Sequence, residues 1–129
     1  MGKSQKLLYG SLAAVAVVAL LAVWSLRGGS EKVPGKYDDF AKCLSEKGAI
    51  MYGAYWCPHC QNQEEIFGNS WKFVSYVECS LPNRAGQTEL CRKAGVDGYP
   101  TWEFSGGGRA EGELSLQQLS EKSGCGLGE

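Results

Sequence analysis

The sequence predicts an α/β domain, a mixed four-stranded sheet flanked by helices, preceded by one transmembrane helix. Three observations carry that expectation. A twenty-residue stretch near the N-terminus has no charge, short apolar strands alternate with helical segments after it, and a glycine run separates the last two strands. At 129 residues, one small domain with appendages is the expected organisation.

Leu7 to Leu26 is the uncharged stretch. A helix of that length spans ~30 Å, about one hydrocarbon core. Lys3 and Lys6 precede it and no acid does, so the positive-inside tendency keeps that end cytoplasmic and sends the rest across. The alternative is a cleaved signal peptide, whose apolar core is usually ~7–15 residues long. This stretch is longer and closes on Val23-Trp24-Ser25-Leu26, a poor cleavage site, and Trp24 suits an interfacial anchor. Residues 27–36 (RGGSEKVPGK) read as a linker. The expected organisation is 1–6 cytoplasmic, 7–26 anchor, 27–36 linker and 37–129 folded domain. That domain would lie in the periplasm or an organelle lumen, such as that of the thylakoid.

Within the domain, Asp38 to Lys47 reads as a helix with Phe40, Cys43 and Leu44 at i, i+3 and i+4, ended by Gly48. Ala49 to Tyr55 is short and apolar, as a buried strand is. Pro58 to Phe67 reads as a helix, with proline at the first position and Gly68-Asn69 at the end. Val74 to Cys79 alternates in the manner of a strand, and Gln87 to Ala94 is helical before Gly95. Thr101 to Phe104 and Arg109 to Glu111 form a hairpin around Gly106-Gly107-Gly108. Ser115 and Gln118 make a capping box that opens a last helix, closed by Gly124. Strands joined through a helix should be parallel with a right-handed crossover, and the hairpin pair antiparallel.

Net charge is −1, and no basic cluster interleaved with aromatics is present, which argues against a nucleic-acid partner. All fourteen acids lie from Glu31 onward, against ten Lys/Arg there. Six cysteines in a chain directed out of the cytoplasm point to disulfides.

Cys57-Pro58-His59-Cys60 lies between a strand and a helix that starts at Pro58. The first turn of a helix leaves N–H groups unpaired and carries partial positive charge, so a thiolate at Cys57 is stabilised and its pKa should fall. The thiolate is the species that attacks a disulfide. Cys60, three residues on, faces the same side of that turn. Cys57 is then the exposed attacking sulfur and Cys60 the resolving one. The competing reading is half of a zinc site, which needs two more ligands. Cys43, Cys79, Cys91 and Cys125 form no second close-spaced pair, and His59 is the only histidine. No metal and no cofactor is expected, since the two sulfurs themselves hold the electrons.

Tyr55-Trp56-Cys57-Pro58-His59-Cys60, followed by Tyr99-Pro100-Thr101 before a strand, resembles the thioredoxin superfamily. The resemblance implies that Pro100 is cis beside the active disulfide, and that the Tyr99 backbone pairs with an extended substrate chain. FAKCLSEKGAIMYGAYWCPHC, VECSLPNRAGQTELC and GYPTWEF are closer still to one branch. That branch is the thioredoxin-like domain associated with bacterial and plant vitamin K epoxide reductase homologues, and the likeness covers Tyr37 to Cys125. It implies a quinone-linked reductase of that type as a partner that re-oxidises the domain.

Pro58-His59 resembles the dipeptide of periplasmic oxidants in this superfamily. A protonated His59, or a hydrogen bond from its ring to the sulfur, would favour the reduced form and make a stronger oxidant. Reducing members usually place a buried acid where this chain has Met51; Glu64 and Glu65 remain as substitutes or as a solvated helix face. The resemblance thus implies an oxidant or isomerase acting on protein thiols and disulfides. Two alternatives stay open: a reductant for cytochrome c assembly, and a redox-inert, membrane-anchored binding module. Trp56, Pro58 and His59 are expected to modulate the site. A Cys79–Cys91 bridge would close a loop of about a dozen residues. Subtraction leaves Cys43 with Cys125, with Cys125 as a free shuttling thiol the alternative.

Overall fold

The structure, a computed structural model, describes residue 2, residues 14–23 and residues 33–128. The chain divides into two units, residues 1–32 and residues 33–129. In the first, residues 14–23 form helix α1, with Val15, Val18 and Leu20 exposed. No helix among the described residues is long and apolar enough to cross a membrane. The span expected over 7–26 extends onto residues 7–13 and 24–26, which lie outside the described residues, as do most of 1–6 and residues 27–32 of the linker.

In the second unit the elements run α2 (Asp38–Glu46), β1 (Ile50–Gly53), α3 (Pro58–Glu65), β2 (Ser75–Glu78), α4 (Glu89–Lys93), β3 (Thr101–Glu103), β4 (Arg109–Glu111) and α5 (Leu116–Ser123). Among the described residues the strands form one four-stranded sheet in the order β2-β1-β3-β4. β1 and β2 are parallel, while β1–β3 and β3–β4 are antiparallel. This is the mixed sheet the element order predicts. β4 has the predicted bounds, while β1, β2, β3 and most helices are shorter than the sequence predicts by a residue or more at an end. α3 stops at Glu65 rather than Phe67, because a 3-10 segment over Gly68–Phe73 takes up the chain there. A second 3-10 turn over Pro82–Arg84, with Asn83 at φ 56° and Arg84 at φ 57°, was not foreseen. The capping box forms as expected: Ser115 Oγ accepts from Gln118 N, and Gln118 Oε1 accepts from Ser115 N.

Side-chain alternation along β1 sorts the core. Met51 points into the larger cluster with Phe40, Leu44, Phe67, Trp102 and Leu119. Tyr52 points to the opposite face, where it packs with Cys79, Cys91 and Val96. Met51 is in register with Tyr76 on β2 and with Trp102 on β3, so these three make one row across the sheet. Two residues on, Gly53 is in register with Glu78.

Cys43 is bonded to Cys125 across 82 residues of sequence, and Cys79 to Cys91 across 12. Constraint of the unfolded chain grows with the logarithm of the span. Replacing Cys43 and Cys125 together by alanine is expected to remove about 4–5 kcal/mol of unfolding free energy, against about 3 kcal/mol for Cys79 and Cys91. Urea unfolding of the two double variants checks that order.

Candidate active site

The free cysteines are Cys57 and Cys60. Cys57 is the N-cap of α3 with extended backbone (φ −80°, ψ 120°), and Pro58 occupies the first turn. Proline fits there because its missing N–H would be unpaired in any case. No side chain caps this helix start. The first-turn N–H groups therefore remain available to an anion at the Cys57 position.

Both sulfurs are more enclosed than the sequence reading held. Cys57 is 7% exposed and Cys60 5%, so the attacking sulfur expected to be exposed belongs to a buried residue. The reason is the chain that covers it. Tyr99, joined to Pro100 by a cis peptide bond, places its carbonyl oxygen 3.7 Å from Cys57 Sγ as acceptor of the thiol. Trp56 stands beside it, edge-on to the Tyr99 ring at 6.2 Å, with its indole N–H donating to Ser80 Oγ at 2.8 Å. The Arg84 guanidinium lies 5.3 Å from the Trp56 ring centroid. The Pro100 carbonyl accepts from Gly112 N, whereas the Tyr99 N–H meets no acceptor among the described residues.

The two sulfurs differ in what surrounds them. Burial pushes the Cys60 thiol up to about 12, and a hydrogen bond with Cys57 and the charges of Cys57 and Glu78 add to that, while the Ala54 backbone opposes it. Gly53 explains how the sulfur fits so tightly against the sheet. A Cβ at that position would lie 2.9 Å from Cys60 Sγ and 2.9 Å from Tyr76 Cε2, closer than real contacts allow. Only glycine lets α3 seat its first turn there. Met51, on the same face of β1, is fully buried and supplies no acid. Glu64 and Glu65 are on the solvent side of α3.

His59 does not approach the sulfur in the expected way. Its side chain is 69% exposed, and Nδ1 lies 2.6 Å from Glu113 Oε1. Asn62 Nδ2 donates to the same oxygen at 3.1 Å. These hydrogen bonds hold the Glu113 carboxyl below its ordinary value. The outward turn of His59 follows from the helix: residues 57 and 60 share the inner face, which puts 59 on the outer one.

Glu113 owes its place to Gln63, a residue the sequence reading passed over. Gln63 is 1% exposed. Its Nε2 donates to the Leu114 carbonyl at 2.9 Å, and its Oε1 accepts from Leu114 N at 2.7 Å and from the Trp102 indole at 3.2 Å. Leaving any of these groups buried and unpaired would cost ~1–3 kcal/mol. Helical spacing offered a signal for Gln63, three residues beyond Cys60. Glu113 offered none, because its meeting with His59 depends on the loop after β4.

Cys43, Cys79, Cys91 and Cys125 are held in disulfides, so none is free to complete a zinc site or to shuttle electrons as a thiol. Cys125 is 1% exposed.

Two outcomes follow from this electrostatics. With the imidazole's proton count unchanged, removing the Glu113 charge makes the His59–Glu113 pair one unit more positive. That favours an anion at the start of α3 and so favours the reduced form. Glu113→Gln should shift the thiol–disulfide equilibrium with glutathione about two- to fivefold toward the reduced protein. An unchanged constant would mean that solvent screens the pair completely.

The second outcome concerns alkali. The Cys60 thiol is raised above its unfolded value, so its contribution to stability is complete below about pH 9 and lost as pH climbs toward about 12. The reduced protein should lose stability across that window relative to the oxidised protein, in which Cys60 does not titrate. Thermal unfolding of both forms at stepped pH measures the difference.

No protein-family model matches the chain. It is 40% identical over 91 residues to the thiol-disulfide oxidoreductase LTO1 of Arabidopsis thaliana, an alignment covering 67% of this chain and 24% of that protein. It is 30% identical over 103 residues to a protein disulfide-isomerase of Humicola insolens, covering 78% and 19%. With protein disulfide-isomerase erp38 of Neurospora crassa the identity is 28% over 107 residues, covering 80% and 27%. The chain thus spans about a quarter or less of the length of these curated relatives. The mixed sheet and flanking helices, with the Cys57–Cys60 pair at a helix start facing cis-Pro100, fit a thioredoxin-like α/β fold, and the likenesses to thiol-disulfide oxidoreductases and protein disulfide-isomerases agree with it.

Proposed function

We propose that this chain is a membrane-anchored thiol–disulfide oxidoreductase that exchanges disulfides with extracytoplasmic protein substrates. The observation that carries the reading is the Cys57 sulfur, set at an uncapped helix start beneath the Tyr99 carbonyl with Cys60 one turn behind. An extended substrate chain laid along Tyr99 finds a free N–H there, in the manner of an added strand. It brings its own sulfur to Cys57. Attack forms a mixed disulfide, and Cys60 then displaces one partner.

The working direction is oxidation or isomerisation. Met51 denies the site a buried acid on β1, and Pro58-His59 occupies the position between the cysteines. Re-oxidation falls to a vitamin K epoxide reductase-like membrane partner, as the resemblance carried by FAKCLSEKGAIMYGAYWCPHC and VECSLPNRAGQTELC implies, and the stretch from Leu7 to Leu26 would hold the chain in the same membrane. The Cys43–Cys125 and Cys79–Cys91 bridges suit an oxidising compartment such as the periplasm or a thylakoid lumen.

The test is a trap in the full chain, expressed in membranes. Cys60→Ser should accumulate mixed disulfides with client proteins that vanish on reduction and are absent when Cys57→Ser is added. Cys57→Ser alone should lower disulfide exchange about a hundredfold or more. Protease added to sealed vesicles of known orientation reports which side carries the domain. A Cys57→Ser chain that still supports exchange would end the enzymatic reading, and a chain washed from membranes by alkali would end the anchored one.

A further inference from the structure

The active site contains an acid that the disulfide exchange described above does not use. It comes from β2, the strand beside β1. Tyr76 and Glu78 are two residues apart, so they share a face of the sheet, and Tyr76 packs in the cluster that holds Cys57 and Cys60. The Tyr76 ring and the Cys60 sulfur meet over Gly53, each 2.9 Å from the place where a side chain there would begin. The Tyr76 hydroxyl donates to Glu78 Oε2 at 2.7 Å, and Ser80 N donates to Glu78 Oε1 at 2.7 Å. The carboxylate is therefore held by both oxygens, at the hydroxyl end of a tyrosine whose ring packs over the same glycine as the buried sulfur.

Chemistry at Cys60 creates a need for such a group. A thiol pushed up to about 12 by burial is ionised in only about one molecule in 10⁵ at neutral pH. The titratable groups acting on that sulfur are Cys57 from α3 and Glu78 from β2. Tyr76, itself raised by burial and by its bond to Glu78, also feels Cys60 and Glu64. Glu64 lies on the exposed side of α3. Of these groups, only Glu78 is both a base and bonded to a side chain that packs over the same glycine as the sulfur.

We propose that Glu78, acting through the Tyr76 hydroxyl, accepts the Cys60 proton when Cys60 closes the disulfide with Cys57, and returns it when that disulfide opens. The inference rests on the thiol–disulfide exchange proposed above and adds the route of its proton. In the closing step Cys57 carries a substrate sulfur. The Cys60 S–H bond breaks and its proton passes to the Tyr76 oxygen as the Tyr76 proton passes to Glu78 Oε2. The Cys60 electron pair forms the Cys57–Cys60 bond. The Cys57–substrate bond breaks, and its pair leaves with the substrate thiolate. Two cysteines are oxidised and one substrate disulfide is reduced. Donation of a disulfide runs the same steps backward, with a substrate thiolate attacking Cys57 and Cys60 leaving to take the proton from Glu78.

A bystander carboxylate predicts the opposite sign. The Glu78 charge disfavours a Cys60 anion, so neutralising a mere bystander would speed the closing step. The experiment uses the full chain reduced only at Cys57 and Cys60, mixed with dithiobis(nitrobenzoate) in a stopped-flow instrument. Attack by Cys57 releases one nitrothiobenzoate, and closure by Cys60 releases a second. Glu78→Gln and the shape-conserving Tyr76→Phe should each slow the second release about tenfold or more at neutral pH. Their second-phase rates should rise in proportion to hydroxide, whereas the wild-type rate is less steep. A second phase that is unchanged or faster in either variant overturns the inference while leaving the exchange reading intact. Absence of the first phase in the wild-type protein would instead defeat the exchange reading itself.

Discussion

The first turn of α3 lies so close to β1 that the strand has no room for a side chain at Gly53. Much of the site is arranged around that approach. It buries Cys60 against the Tyr76 ring, and it turns residues 57 and 60 inward and 59 outward. The row of Met51, Tyr76 and Trp102 beneath the helix supplies the floor on which it rests. Burying aromatic side chains of that size contributes ~1.5–3 kcal/mol each, enough to hold a helix of only eight residues that would not form alone.

The helix is also fixed from its other end. Gln63 ties α3 to the backbone at Leu114 and to the Trp102 indole, which fastens the loop after β4 to the helix. That tie sets the position of Glu113 on the outer face and, through it, the direction of the His59 ring. The Cys43–Cys125 bridge joins α2 to the segment after α5, and Cys79–Cys91 pins the loop that carries Ser80 and Arg84 near Trp56. In a domain this small, cross-links offset what a limited core cannot supply.

Much of this was legible from residue order alone. The alternation of strand and helix gave the sheet and its parallel and antiparallel pairs, because periodicity and short connections are local properties. Ser115 and Gln118 announced their capping box for the same reason. The placement of Cys57 at a helix start, with Cys60 one turn on, was legible because Pro58 marks a first helical position. The 3-10 turn at Pro82–Arg84 was not, since Asn83 and Arg84 adopt left-handed backbone that composition alone does not demand of arginine. Nor were the partners of His59 and Tyr76. Glu113 and Glu78 reach the site from a loop and a neighbouring strand, and such meetings are set by tertiary packing. The burial of Cys57 escaped for a related reason, because what covers it is Tyr99, forty-two residues away.

Placement of charge, more than exposure, therefore separates the two sulfurs. With 7% and 5% of their surfaces open, neither is distinguished by access. Cys57 has the unpaired N–H groups of the helix start, which favour an anion. Cys60 has a low-polarity wall and the Glu78 carboxylate on its side, which favour the neutral thiol. A thiol–disulfide pair uses that inequality, since the thiolate is the species that attacks and a neutral second sulfur does not compete with it for substrate. The inequality comes from what each sulfur faces, a helix start on one side and a carboxylate-bearing strand on the other.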